Sequence, residues 1–186
     1  MNLAQRCARH LLMLAAVVLS LVNISSVQAA TTVEINVNSA AALKSLYASE
    51  PKALELSKKA AGILVFPDIV RAGLVVGGSS GDGMLFRKGR GVGYYNSSSL
   101  SVGMQAGVQK FGYAVFFMTE AALKEFLNSD GWDIGTAPTV VVVDAGAAKN
   151  MDTMTLQSQI YAFIFDQKGL MAGLALQGQK ITRLKK

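Results

Sequence analysis

The sequence predicts an α+β domain: a curved, glycine-rich antiparallel sheet, with curvature enough to close like a barrel, flanked by a few helices. Three observations predict it. All 18 glycines lie at or after Gly62, so composition divides the chain into an Ala/Leu/Lys-rich front and a glycine-rich body. The body consists of short β-branched and aromatic runs separated by Gly, Asn, Asp and Ser, which is the pattern of strands and turns. Glycine inside strands permits strong curvature and close approach of helices.

The front, residues 38–61, reads as helix. Asn38 or Ser39 is placed to cap its first turn. Leu43, Leu46 and Tyr47 recur at helical spacing on one face, and Pro51 suits the first turn of a second helix. In the body, GILVF (62–66) is a strand stopped by Pro67. AGLVVGG and GMLFR flank a polar connection, Ser79 to Asp82. GMLFR and GVGYYN flank a second tight connection at Lys88-Gly89-Arg90. Val102, Met104, Ala106 and Val108 alternate with Gly and Gln, which predicts one half-buried strand. FGYAVFFM (111–118) predicts a buried strand. TEAALKEFLNS (119–129) predicts a helix capped by Thr119, with Leu123, Phe126 and Leu127 inward. TVVVVD (139–144), IYAFIF (160–165) and GLMAGLALQGQ (169–179) predict further strands, the last preceded by a tight turn at 166–169. Trp132 is expected on the sheet. Of the adjacent Tyr94 and Tyr95, one is expected in the core and one outside it.

The first residues form a different unit. MNLAQRCARH carries Arg6 and Arg9 and no acid, an apolar run follows from Leu11 to Val22, and Val27-Gln28-Ala29 ends the segment. A basic head, an apolar middle shorter than the ~20 residues of a membrane span, and a small-residue tail predict a secretory signal peptide over 1–29. Cutting after Ala29, with Ala30 as the second choice, leaves 157 residues, enough for one domain built from the arm (30–61) and the core (62–186). The expected destination is the periplasm or the exterior, with peripheral membrane association open to it. The single cysteine, Cys7, precedes the apolar run, so it is not a lipoprotein cysteine at the cut site. Losing Arg6 and Arg9 takes the formal charge from +6 to +4, a mild attraction to anionic surfaces.

The same cut removes the only histidine, His10, together with Cys7. The remaining chain then lacks the residues of Ser-His-Asp and Cys-His catalysis, of His/Cys zinc sites and of disulfides. The run GLVVGGSSGDGMLFRKGRGVGYYN raises the question of a phosphate cradle. A P-loop needs Lys followed by Ser or Thr after its glycines, and no such pair occurs. Gly91 and Gly93 lack the third glycine of a dinucleotide fingerprint and run into another strand. Nucleotide, nucleic acid and cofactors are therefore not expected. Asp130, Asp133 and Asp144 match no calcium loop.

The blocks AGILVFPDIVRAGLVVGGSSGDGMLFRKGRGVGYYN, SVGMQAGVQKFGYAVFFMTEAAL, SDGWDIG, VVVVD and YAFIFDQKGLMAGLALQGQKITRL resemble the SYLF domain family, from about Ala42 to Leu184. The resemblance implies a non-enzymatic lipid-binding module. Eukaryotic members bind phosphoinositides and associate with actin, while bacterial members are mostly exported. It makes an anionic, phosphoinositide-like phospholipid surface the expected partner. Two basic groups are candidate contacts. Arg87, Lys88 and Arg90 crowd around one tight turn, where Gly89 and Gly91 let backbone N–H groups approach an anion. Lys44, Lys52, Lys58 and Lys59 ride on the helical arm with Leu43, Leu46, Tyr47 and Leu54. The alternative for the whole chain is an envelope protein, structural or stress-linked, that acts through protein contacts.

Overall fold

The computed structural model describes residues 31–73, 76–102, 107–134, 140–143, 158–168, 176 and 178–185. The predicted signal peptide and Asp144 lie outside the described residues.

Two helices open the described chain, α1 (Thr32–Ser49) and α2 (Pro51–Ser57). Helix α1 starts before Asn38. Thr31 Oγ1 accepts from the Glu34 backbone N–H at 3.3 Å, and the Glu34 carboxylate accepts from the Thr31 N–H at 2.9 Å. This reciprocal capping box satisfies two otherwise orphaned donors. Ser39, expected as a cap, is fully buried inside the helix. Pro51 occupies the first turn of α2 as expected. Leu46 is buried, and Leu43 and Tyr47 pack beside it, so the arm's apolar stripe faces the sheet.

The sheet contains β1 (Gly62–Gly73), β2 (Val76–Arg87), β3 (Arg90–Val102), β4 (Gly107–Phe117), β5 (Trp132–Asp133), β6 (Val140–Val143), β7 (Ile160–Lys168) and β8 (Lys180–Arg183), with α3 (Glu120–Asn128) between β4 and β5. The strand order is β5-β8-β3-β2-β1-β4-β7-β6. Every neighbouring pair is antiparallel except β6–β7, which is parallel. The sheet is curled like half a barrel, the α+β architecture the composition predicts.

Several strands run further than their sequence punctuation predicts. Pro67 does not stop β1. The register against both neighbours shifts around it, between Val65 and Val70 on one side and between Phe66 and Ile69 on the other. A bulge tolerates the missing N–H, so the chain passes through. Ser79 to Asp82 is not a turn but the middle of β2, each residue paired with β3. The predicted alternating strand over 100–109 belongs to two strands, the end of β3 and the start of β4, and 103–106 lie outside the described residues. Asp166 to Lys168 continue β7, with Asp166 in the left-handed region at φ 51°, in place of the expected turn. Of the predicted last strand over 169–179, the described Leu176, Gly178 and Gln179 lie outside any strand. The Lys88-Gly89 connection is the tight hairpin expected. Both residues have positive φ, 49° and 74°, and Arg87 pairs with Arg90. That is the turn geometry whose twist matches paired strands.

Each face of the sheet carries a core. On the outer face α1 and α2 cover Ile63, Val65, Ala114, Phe116, Tyr161 and Phe163. On the inner, concave face Leu64, Phe66, Leu85, Tyr95, Tyr113, Val115 and Phe117 meet Ala122, Leu123 and Phe126 of α3 and the buried Trp132. Thr119 caps α3 by accepting from the Ala122 N–H at 3.1 Å. Leu127, expected inward, is exposed, and Ala122 takes the inward position. Tyr95 packs on Phe126 in the core, while Tyr94 faces outward and donates to Asn36 Oδ1 of α1 at 3.0 Å. Two glycines permit the tight curl. A Cβ on Gly81 would run into the Asp68 carbonyl, and one on Gly83 into the Val65 carbonyl.

Candidate functional site

The strand register places the basic candidates. The β2–β3 hairpin carries Arg87, Lys88 and Arg90. Ile63, at the start of β1, pairs with Phe86, and Lys58 and Lys59 follow the last residue of α2, just before β1. The hairpin and the end of the arm therefore share one end of the sheet. Lys44 and Lys52 lie further back along α1 and α2.

Their charges are not equivalent. Arg87 Nη2 donates to both carboxylate oxygens of Glu120, each at 2.8 Å. Lys52 and Lys59 share Glu55, at 3.4 Å and 4.0 Å. Lys44, Lys58, Lys88 and Arg90 are exposed and form no ion pair among the described residues. Four of the seven candidates thus present an uncompensated charge. Ion-paired neighbours contribute less to an external anion, because their field is already partly cancelled.

The other end of the strands has different chemistry. On the inner face a chain of buried polar side chains crosses three strands. Tyr113 donates to Ser97 Oγ (2.6 Å), which donates to Gln179 Oε1 (2.8 Å). Gln179 Nε2 donates to Ser79 Oγ (2.8 Å), and Ser79 and Ser99 share a hydroxyl bond of 2.7 Å. Burial pushes the Tyr113 phenol far above its usual range, against the smaller pull of its bond to Ser97. Its proton therefore stays in place and the chain stays neutral. A carboxamide cannot accept the serine proton, so Ser97 has no general base here. The same face holds Arg71 over the Phe111 ring at 5.5 Å, with its pKa lowered by burial.

On the outer face at this end lies an open groove of about 1110 Å³, floored by Gly78, Ser80 and Ser98 and edged by Val70, Ala72, Leu100, Asp82, Asp133 and Lys180. Sequence reasoning did not find it. The period-two patterning of Ser98 and Leu100 was a signal that one face of β3 carries both, but Lys180 and Asp133 reach them only through strand pairing. No group of three or more His, Cys, Asp or Glu side chains able to hold a metal occurs among the described residues. Nor is any described helix long and apolar enough to cross a membrane.

A helix-backed curved sheet, cationic at one end and grooved at the other, has the surfaces of a binding module. Residues 98–186 match the family described as Ysc84: Las17-binding protein actin regulator. This is the SYLF family that the sequence resembles, a family of binding domains, and the match lies in the C-terminal part of the chain. No curated protein matches the chain.

Proposed function

We propose that this protein is an exported, non-enzymatic module that binds anionic, phosphoinositide-like membrane surfaces through the cationic end of its sheet. The observation that carries the reading is the hairpin tip: Lys88 lies in a left-handed two-residue turn with Gly89 and Arg90 begins the next strand, both exposed and without an ion-pair partner among the described residues. Lys58 adds a further free charge at the same end. Each basic group near an anionic bilayer contributes ~1 kcal/mol and acts only within a Debye length. The family match and the basic balance of +4 that remains without residues 1–29 support the reading.

The test is sedimentation of the protein lacking residues 1–29 with vesicles. Binding to vesicles containing phosphatidylglycerol, weak binding to phosphatidylcholine vesicles and a steep fall with salt are expected. Equal binding to both, or none at low salt, overturns it. The family's description as a Las17-binding protein favours a second reading, in which the same surface meets a protein partner. A cross-linked protein partner in cells, with no vesicle binding in solution, selects that alternative. Export itself is tested by sequencing the N-terminus of the protein recovered outside the cytoplasm, expected at Ala30.

A further inference from the structure

We infer that the C-terminal end of β8 forms the other half of the membrane-binding surface: Arg183 and Lys185 meet the bilayer together with Lys88 and Arg90, and Val92 enters its interfacial layer between them. The inference rests on the anionic-membrane reading above and gives that site three further residues and one orientation.

Strand pairing brings the tail to the hairpin. β8 runs antiparallel to β3, so the chain leaving it heads for Arg90. Tyr95 pairs with Arg183, and the ladder continues one step, the Leu184 N–H donating to the Tyr94 carbonyl at 2.9 Å. By the same register Lys185 falls in step with Gly93. Cross-strand partners share a face of the sheet. Arg183 shares the inner face with Tyr95, and Arg90 shares it with Arg87, which reaches Glu120 of α3 there. Burial raises the pKa of the Tyr95 phenol and the Arg183 charge opposes it, so the guanidinium stands near that ring. From Arg90 to Tyr95 is roughly 15 Å of strand, and the charges follow it along the rim of α3.

The row is positive on balance. Lys88, Arg90, Arg183 and Lys185 are exposed and form no ion pair among the described residues. The carboxylates at this end are fewer. Glu120 is bound to Arg87, and Glu125 of α3 adjoins Lys124. Asp130 is the carboxylate that the β5–β8 register brings toward Arg183, exposed and not ion-paired with it. Four cations against one such carboxylate call for an anionic partner.

Val92 selects a bilayer over a soluble anion. The β2–β3 register shifts between Leu85 and Phe86, whose partners are Gly93 and Gly91, so Val92 is the extra residue of a bulge. A bulge re-aims its extra side chain out of the ladder. Val92 is 48% exposed, in a run from Lys88 to Val92 that is exposed throughout. An apolar side chain flanked by basic ones adds affinity by entering the interfacial layer while they hold the phosphates. A small soluble anion offers it no such gain.

The experiment uses the protein lacking residues 1–29, which retains every described residue, with vesicles of phosphatidylglycerol and phosphatidylcholine. Arg183→Gln/Lys185→Gln should keep its circular dichroism and bind anionic vesicles about tenfold to thirtyfold more weakly, the size of two basic groups. Lys185→Gln alone, beyond the end of β8, should bind about fivefold more weakly. Lys180→Gln, at the other end of β8, should change binding less than about twofold. Tryptophan fluorescence reads the orientation, since Trp132, the one native tryptophan, is buried. The emission of Val92→Trp should move to the blue on anionic vesicles and be quenched by brominated acyl chains. Leu100→Trp, at an 88% exposed position near the far end of β3, should not respond. Native-strength binding by the folded Arg183→Gln/Lys185→Gln variant overturns the inference. So does an unchanged Val92→Trp emission while the protein sediments, or a response from Leu100→Trp in its place. Each of these leaves the anionic-membrane reading standing, whereas a native chain that fails to bind anionic vesicles overturns both.

Discussion

Arg87 and Glu120 tie the β2–β3 hairpin to the first turn of α3, with both carboxylate oxygens accepting from the same guanidinium nitrogen at 2.8 Å. The pair divides a hairpin that looks uniformly basic in sequence into one compensated charge and two free ones.

Lys88→Gln/Arg90→Gln should therefore cost about 2 kcal/mol of affinity for anionic vesicles, ~1 for each free charge, and Arg87→Gln clearly less. Glu120→Gln should strengthen the binding and steepen its salt dependence, because it releases Arg87. Both partners are substantially exposed, so stability should move by no more than about 1 kcal/mol in any of these variants. Vesicle affinity at two salt concentrations, beside denaturant melts, measures both effects. An Arg87→Gln loss equal to that of Arg90→Gln would show that the Glu120 pair opens at the membrane.

Gln179 joins two halves of the buried polar chain. Gln179→Leu takes the acceptor from Ser97 and a donor from Ser79, with both hydroxyls still buried. Ser97 is left without its acceptor while Ser79 keeps Ser99, and one stranded group costs ~1–3 kcal/mol, so a loss of about 1–3 kcal/mol is expected in urea unfolding at an unchanged slope. A loss under about 0.5 kcal/mol would mean that water replaces the carboxamide.

The glycines of β2 should separate into two kinds. Gly83→Ala forces a Cβ onto the Val65 carbonyl and should destabilise by about 1–3 kcal/mol, as overpacking does. Gly78→Ala meets only ordinary contacts and should stay within about 0.5 kcal/mol of native. Thermal and urea midpoints of the two variants decide it, and equal shifts would refute the distinction.

Alkali should unfold the protein through its tyrosines. Burial raises the pKa of Tyr113, Tyr47, Tyr95 and Tyr161 above the ordinary value of 10.0. A folded pKa above the unfolded one contributes stability that is whole below the unfolded pKa and is lost as pH rises beyond it. Urea midpoints should be flat from neutrality to about pH 9 and fall steeply above about pH 10. Tyr113→Phe should lower the plateau, through the lost bond to Ser97, and make the alkaline slope shallower. An unchanged slope would place the titration on other groups.

The local features were legible in sequence because neighbours in the chain decide them. Pro51 opens a helix, Thr119 caps one, Lys88-Gly89 makes a tight turn, and the run from Phe111 to Phe117 is buried. The misreadings share a cause. Pro67 and the Ser79 to Asp82 stretch carry turn-type residues, yet Pro67 sits in a bulge between paired stretches of β1 and Ser79 to Asp82 are held in β2 by their partners in β3. Cross-strand pairing outweighs local punctuation when a bulge or a crowded neighbour accommodates it.

The amino-acid sequence by itself determined the α+β class, the glycine-rich curved sheet, the basic clusters, and the confinement of histidine and cysteine to the first 10 residues. All of these follow from composition and short-range pattern. Tertiary structure alone decided which charges remain free and where the groove lies. Glu120 is 33 residues from Arg87, and Gln179 is 100 from Ser79. Lys180 reaches Ser98 only because β8 pairs with β3. Such neighbours are set by the register of strands distant in the chain, where a shift of one residue turns every side chain to the other face.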